Sequence, residues 1–157
     1  MKKAYLAYGS NMSEEQMAIR CPRAKIIGTS ILQDWRLMFK GNTPLVTTYA
    51  TIEQWQGYQV PFVLWDITRK HEMKLDLYEG VHKNCYYKKY IEVEVGDEKY
   101  NALVYVKDES EPVNIASQHY TVVLWEAYKK FGFDMKILGE AIKFSDERYR
   151  RMMAQAE

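Results

Sequence analysis

Two places in this sequence hold residue types that could do chemistry. The first is Gly9-Ser10-Asn11, directly after the unbroken apolar and aromatic run Ala4-Tyr5-Leu6-Ala7-Tyr8. Such a run reads as a short strand buried on both faces, and Gly-Ser-Asn is turn chemistry that ends it. Ser13-Glu14-Glu15-Gln16 then has capping-box spacing, with Ser13 as N-cap and Gln16 reaching back from the third helical position. A strand, tight turn and helix in that order present backbone N–H groups beside a helix N-terminus. These attract carboxylate, phosphate or a developing oxyanion. The same residues also suit an ordinary junction, and most of those bind nothing.

The second place is Leu75-Asp76-Leu77-Tyr78-Glu79-Gly80-Val81. Here Glu79 falls at the end of a predicted helix, where the macrodipole disfavours a negative charge. With partial burial added, its pKa rises toward that of a useful general base. A glutamate beside a stop glycine is also often just exposed to water. Asp76, at i,i+3 from Glu79, offers a second carboxylate or a hydrogen bond into its own turn. The histidines His71, His82 and His119 lack metal-ligand spacing, and Cys21 and Cys85 form no CxxC pair. Nucleophile elbow, Walker loop and Rossmann fingerprint are all absent.

Composition bounds the rest. The chain has 157 residues and a formal net charge of +1 from 22 basic and 21 acidic residues, so no charge block suggests a nucleic-acid partner. Too few apolar residues follow Met1-Lys2-Lys3 for a signal peptide, and no run approaches a membrane span. The expectation is a cytoplasmic protein with reduced thiols and no membrane partner.

The elements that must position these residues follow in order. A helix from Ser13 stops at Cys21, ahead of Pro22. Ala24 to Leu32 reads as a strand, with Gly28 a bulge or close approach. Trp35 to Phe39 and Val46 to Ile52 are further strands, the latter followed by a turn at Glu53 to Gly57. In the strand Val60 to Ile67, Pro61 marks an edge or a strand start. Thr68 caps a helix from Arg69 to Tyr78, with Met73 and Leu77 on one face. Tyr90 to Val95 and Tyr100 to Val106 form a hairpin about Gly96-Asp97-Glu98. Past Pro112, a helix carrying Tyr120, Leu124 and Tyr128 ends at Gly132, Asp134 caps another, and Asp146 starts a last one. The pattern is α+β, and the strands could curl into a barrel.

Tyr8-Gly9-Ser10-Asn11 after an apolar N-terminal strand, with Leu75-Asp76-Xaa-Xaa-Glu79-Gly80 further on, resembles the gamma-glutamyl cyclotransferase family, which includes the AIG2-like proteins. Tyr49-Ala50-Thr51-Ile52-Glu53, the strand Val60 to Ile67, Tyr86-Tyr87 and Ser117-Gln118-His119-Tyr120 extend the likeness from Tyr5 to about Gly132. It implies a small mixed, mostly antiparallel β-barrel flanked by helices, one domain over 1–157 with 146–157 a C-terminal helical tail. It further implies an enzyme that cyclises the gamma-glutamyl group of a small peptide or amide to 5-oxoproline and releases the amine, with no cofactor. By position, Glu79 would be the general acid/base. Gly9, Ser10 and Asn11 would hold the substrate through backbone amides, bordered by Tyr8, with Tyr86 and Tyr120 lining the same cavity. Pro61-Phe62 departs from the family pattern and implies a locally reshaped strand; Asp134 replaces a frequent proline. A non-catalytic pocket protein for a gamma-glutamyl or related small acid is the alternative. A partner-binding domain with a tyrosine-rich surface is a third reading, and homodimer formation stays open.

Overall fold

The computed structural model describes residues 3–156. Five strands, β1 (Lys3–Ala7), β2 (Lys25–Lys40), β3 (Tyr49–Ile67), β4 (Tyr87–Val95) and β5 (Glu98–Val106), form one sheet in the order β2-β3-β1-β5-β4. Only the β1–β5 pair is parallel. β1 is central, which is why its run is apolar without alternation: Tyr5, Leu6 and Ala7 are all buried. The α+β class holds, but the barrel is not closed, because β2 and β4 remain edge strands without a ladder between them. The sheet curls strongly all the same. Gly28 lies so close to Val95 of β4 that a Cβ there would stand 2.7 Å from Val95 Cγ1. It also sits at a register shift, so both expectations for it are met.

Two pairs of expected strands are each one long strand. β2 runs on through Asp34, and β3 through the expected turn at Glu53 to Gly57. The register skips from Gln33–Gln59 to Trp35–Gln54, so residues 55–58 bulge instead of reversing the chain. Gly57 N–H donates to Asp34 Oδ1 at 3.0 Å. Arg36 then stacks on Trp55, Tyr58 and Phe144, 4.8, 4.4 and 4.2 Å from the ring centroids, which fastens the bulge to the last helix. Pro61 sits two residues past the last β1–β3 pair, Ala7 with Val63, as an edge position should. Pairing with β2 stays regular through Pro61-Phe62, so the strand is not reshaped there.

Four helices complete the fold: α1 (Glu14–Arg20), α2 (Arg69–Tyr78), α3 (Gln118–Phe131) and α4 (Met135–Ala156). Ser13, Thr68 and Ser117 cap the first three as their types predict. In α2 the expected apolar face is the wrong one. Met73 and Leu77 are 63% and 71% exposed, whereas Leu75 and Glu72 turn inward. Glu72 can be buried because Lys3 (2.6 Å) and Lys88 pair with it. No separate helix starts at Asp146: α4 continues through it, since no glycine or proline interrupts residues 140–156. Among the described residues, no helix is long and apolar enough to cross a membrane.

Candidate active site

β1 delivers the chain into a single 3-10 turn, Ser10–Met12, and that turn borders a cavity of about 210 Å³. The end of α2 lines the same cavity beside the turn, with Glu79 as the C-cap residue and Gly80 following at φ 64°. All seven residues named from the sequence line this cavity: Tyr8, Gly9, Ser10, Asn11, Glu79, Tyr86 and Tyr120. The first hydrogen bond of the turn runs from Met12 N–H to Gly9 O at 3.0 Å. The amides of Ser10 and Asn11 precede it and are not used by the turn.

Glu79 is the one cavity group whose charge changes near neutrality. Its carboxyl is pushed up to about 7, chiefly by desolvation, while Arg20 and Lys107 pull it the other way. The neighbouring Tyr5, Tyr8, Tyr86 and Tyr120 are all held above the usual phenol range, again first by burial and also by the charge of Glu79. They therefore stay neutral and act as hydrogen-bonding walls. Three of them converge on one backbone unit. Tyr86 OH donates to Ala50 O at 2.7 Å, and Ala50 N–H donates to Tyr120 OH at 3.1 Å. Tyr8 OH donates to Tyr105 O at 2.6 Å, with Ala50 O at 3.4 Å.

Asn11 differs from its expected part. Its side chain, 3% exposed, is wholly engaged. Oδ1 accepts from Gln16 Nε2 (2.9 Å) and Arg20 Nη1 (3.0 Å). An arginine can only donate, so the amide orientation is fixed and Nδ2 must face the other way. There it donates to Tyr5 OH at 2.9 Å and to Glu79 Oε1 at 3.3 Å. Gln16 does not close the capping box; it donates to Ser10 Oγ (2.7 Å) and Asn11 instead, which ties α1 to the turn. Asp76 is likewise not a second cavity carboxylate. It pairs with Lys88 at 3.0 Å and accepts from Tyr105 OH at 2.7 Å, bracing a cavity wall from outside.

Sequence reasoning missed Tyr5, Gln16, Arg20, Ala50 and Tyr105. Gln16 and Arg20 are i,i+4 on α1, a spacing that puts both on the face toward the turn. Ala50 gives no side-chain signal, because its backbone does the work.

Residues 5–125 match the family model described as gamma-glutamyl cyclotransferase, AIG2-like. This chain belongs to that family. The gamma-glutamylcyclotransferase of Homo sapiens is 36% identical over 88 residues, covering 52% of this chain and 46% of that protein; the Bos taurus protein is 35% identical over the same extent. The chain thus spans about half the length of the curated relatives it matches. A solved gamma-glutamyl cyclotransferase superposes with a TM-score of 0.76 at 25% identity, over 90% of this chain and 86% of that one. A yeast family structure, described as specific to glutathione, shares the fold at TM-score 0.62 and 10% identity, over 96% and 98% of the two chains. The matched span takes in the turn and Glu79, which line one cavity and meet through the Asn11–Glu79 hydrogen bond.

The raised pKa of Glu79 makes a stability prediction. A carboxyl whose folded-state pKa lies above its unfolded value binds more protons when folded, so stability falls as pH rises from about 4.5 to about 7. The cost is full above that range and absent below it. Glu79→Gln should therefore melt higher than wild type at pH 8, by roughly 1–2 kcal/mol after allowance for partial solvent access, and alike at pH 4. The same stability difference between the two proteins at pH 4 and at pH 8 would contradict the buried-carboxylate picture.

Proposed function

We propose that this protein is a gamma-glutamyl cyclotransferase, forming 5-oxoproline from a gamma-glutamyl peptide or amide with Glu79 as acid/base. The observation that carries this is one carboxylate, tuned to about 7, beside a turn whose leading amides the turn does not use, in a small tyrosine-walled cavity. Cyclisation requires the substrate's α-amino nitrogen to attack its own gamma-carbonyl carbon. That nitrogen enters as an ammonium, so Glu79 first takes a proton from it. The tetrahedral intermediate carries an oxyanion, which the Ser10 and Asn11 amides stabilise. Collapse breaks the bond to the departing amine, and Glu79 returns the proton there. The ammonium loses two protons in becoming a lactam N–H, and the departing amine gains two in leaving as an ammonium. One carboxylate carrying them in turn balances the reaction. The cavity holds the glutamyl chain folded for ring closure, an orientation effect that lowers the barrier further.

The test is to incubate the protein with a panel of gamma-glutamyl compounds and look for 5-oxoproline by mass spectrometry. Binding without any turnover across the panel would favour a non-catalytic pocket.

A loop that works through its backbone must let the substrate come close. Gly9 has φ −114°, so a left-handed backbone is not the reason a glycine stands here. Space is the reason: a Cβ on Gly9 would lie 3.3 Å from Tyr120 OH, which is held by Ala50 N–H, and 3.6 Å from Ala50 Cβ. Gly9→Val should weaken binding of a gamma-glutamyl ligand by about tenfold or more, equivalent to roughly 1.4 kcal/mol. Ser10→Ala, which keeps the amide, should cost less. Calorimetric titration of both variants checks the order, and normal affinity in Gly9→Val would sink the role of this loop.

A further inference from the structure

We propose that Asp76 is a positioning residue for the cyclisation: by holding Tyr105 it fixes the end of α2, and with it Glu79, against the tyrosine walls of the cavity. The inference rests on the cyclotransferase reading and adds a residue outside the cavity on which the rate depends.

Glu72, Asp76 and Glu79 follow one another at i, i+4 and i+7, which puts three carboxylates on one face of α2. The last two stand where the helix dipole disfavours negative charge, and no basic residue occupies that last turn. The strands supply what the helix lacks. Glu72 pairs with Lys3 of β1 at 2.6 Å and with Lys88 of β4. Asp76 uses both of its oxygens: Oδ2 accepts from Lys88 Nζ at 3.0 Å, and Oδ1 accepts from Tyr105 OH of β5 at 2.7 Å. The helix is thus tied to the sheet one turn ahead of Glu79.

The bond to Tyr105 leads into the site. Asp76 lies outside the cavity, but Tyr105 lines it. The buried Tyr105 ring stands edge-on to Tyr5, with centroids 5.8 Å apart, and the Tyr105 carbonyl accepts from Tyr8 OH at 2.6 Å. Tyr5 OH in turn accepts from Asn11 Nδ2, the same group that reaches Glu79 Oε1. The contacts close a circuit: Glu79, Asn11, Tyr5, Tyr105, Asp76, and back along one turn of α2 to Glu79. In such a circuit each member is located from two sides. Opening it between Asp76 and Tyr105 leaves the carboxylate of Glu79 held from the Asn11 side alone. Ring closure is an orientation problem, and a misplacement of about 1 Å at the reacting groups costs on the order of a hundredfold in rate.

The experiment measures kcat and KM for 5-oxoproline formation from gamma-glutamyl-alanine, together with melting temperature. Asp76→Ala and Tyr105→Phe open the circuit from its two sides. Each should lower kcat by about tenfold to a hundredfold and change KM by no more than about threefold, because neither lost group binds substrate. The double variant should lose no more than the larger single loss, since both changes cut the same bond. Asp76→Asn should recover much of the kcat lost in Asp76→Ala, because an amide can bond the Tyr105 hydroxyl in either orientation. Lys88→Met removes the ion pairs to Glu72 and Asp76 but spares the Tyr105 bond, so it should melt lower and keep its kcat. If kcat falls in step with melting temperature across all the variants, Lys88→Met included, Asp76 only stabilises the fold and the proposal is wrong. Unchanged kcat in Tyr105→Phe also overturns it, and that variant, which lacks only a hydroxyl, decides the matter should Asp76→Ala not fold. No 5-oxoproline from gamma-glutamyl-alanine or gamma-glutamyl-ethylamide with wild type overturns the cyclotransferase reading itself, and the positioning role with it.

Discussion

Glu79→Gln should lower kcat/KM by about 10²–10⁴-fold, the scale of a lost general acid–base group, while the protein stays folded. A glutamine is nearly the same size and can still accept from Asn11 Nδ2, so the cavity wall keeps its shape. What it cannot do is take the ammonium proton. In the wild type, kcat/KM should fall on the acid side with a midpoint near 7, because Glu79 then carries a proton and no longer acts as a base. On the alkaline side the carboxylate remains ionised and the substrate ammonium is easier to deprotonate, so Glu79 contributes no fall there. The residual activity of Glu79→Gln should lack the acid limb. An unchanged limb in that variant assigns it to another group, with His82, exposed in the 3-10 turn three residues on, the first to exchange. Near-normal turnover would remove Glu79 from the mechanism altogether.

What the sequence made legible were the parts governed by local rules. β1 ends at Ala7 just ahead of Tyr8-Gly9, α1 starts after its Ser13 cap, and α2 ends at Tyr78 ahead of Glu79-Gly80, because capping and turn chemistry act over three or four residues. Those three boundaries place the turn and Glu79, and family resemblance supplied that both face one pocket. The parts that misled were those decided by distant partners. Asp34 and Gly57 look like turn residues, and only their bond to each other, together with Arg36 packed on Trp55, Tyr58 and Phe144, shows a bulge in one long strand. The apolar side of α2 was misjudged because Glu72 becomes an inward residue only when Lys3 and Lys88 arrive from β1 and β4. The barrel expectation failed for a similar reason: curling brings Gly28 against Val95, but the edge backbones never pair. At the site, the sequence pointed to the Asn11 backbone, while its side chain bonds a carboxylate 68 positions away.

That side chain gives the second large effect. Asn11→Ala removes four hydrogen bonds at once, but their losses are unequal. Gln16 keeps Ser10 Oγ, and Arg20, half-buried, can turn to water. Tyr5 OH is buried and loses its Asn11 contact, and Glu79 loses a donor to its charged form. At about 1–3 kcal/mol for each buried group left without its partner, the variant should be destabilised by roughly 2–4 kcal/mol. The functional signature is distinct from that loss. A hydrogen bond to a carboxylate favours ionisation, so removing it should raise the pKa of Glu79 further. The acid limb of kcat/KM should move to higher pH, with activity falling at neutrality and partly returning in alkaline buffer. Tyr5→Phe is the control, since it takes away the hydroxyl and leaves the Asn11–Glu79 contact in place. Its limb should stay near that of wild type. If Asn11→Ala loses activity equally at every pH, with no displacement of the limb, Asn11 supports the turn but does not set the charge state of Glu79.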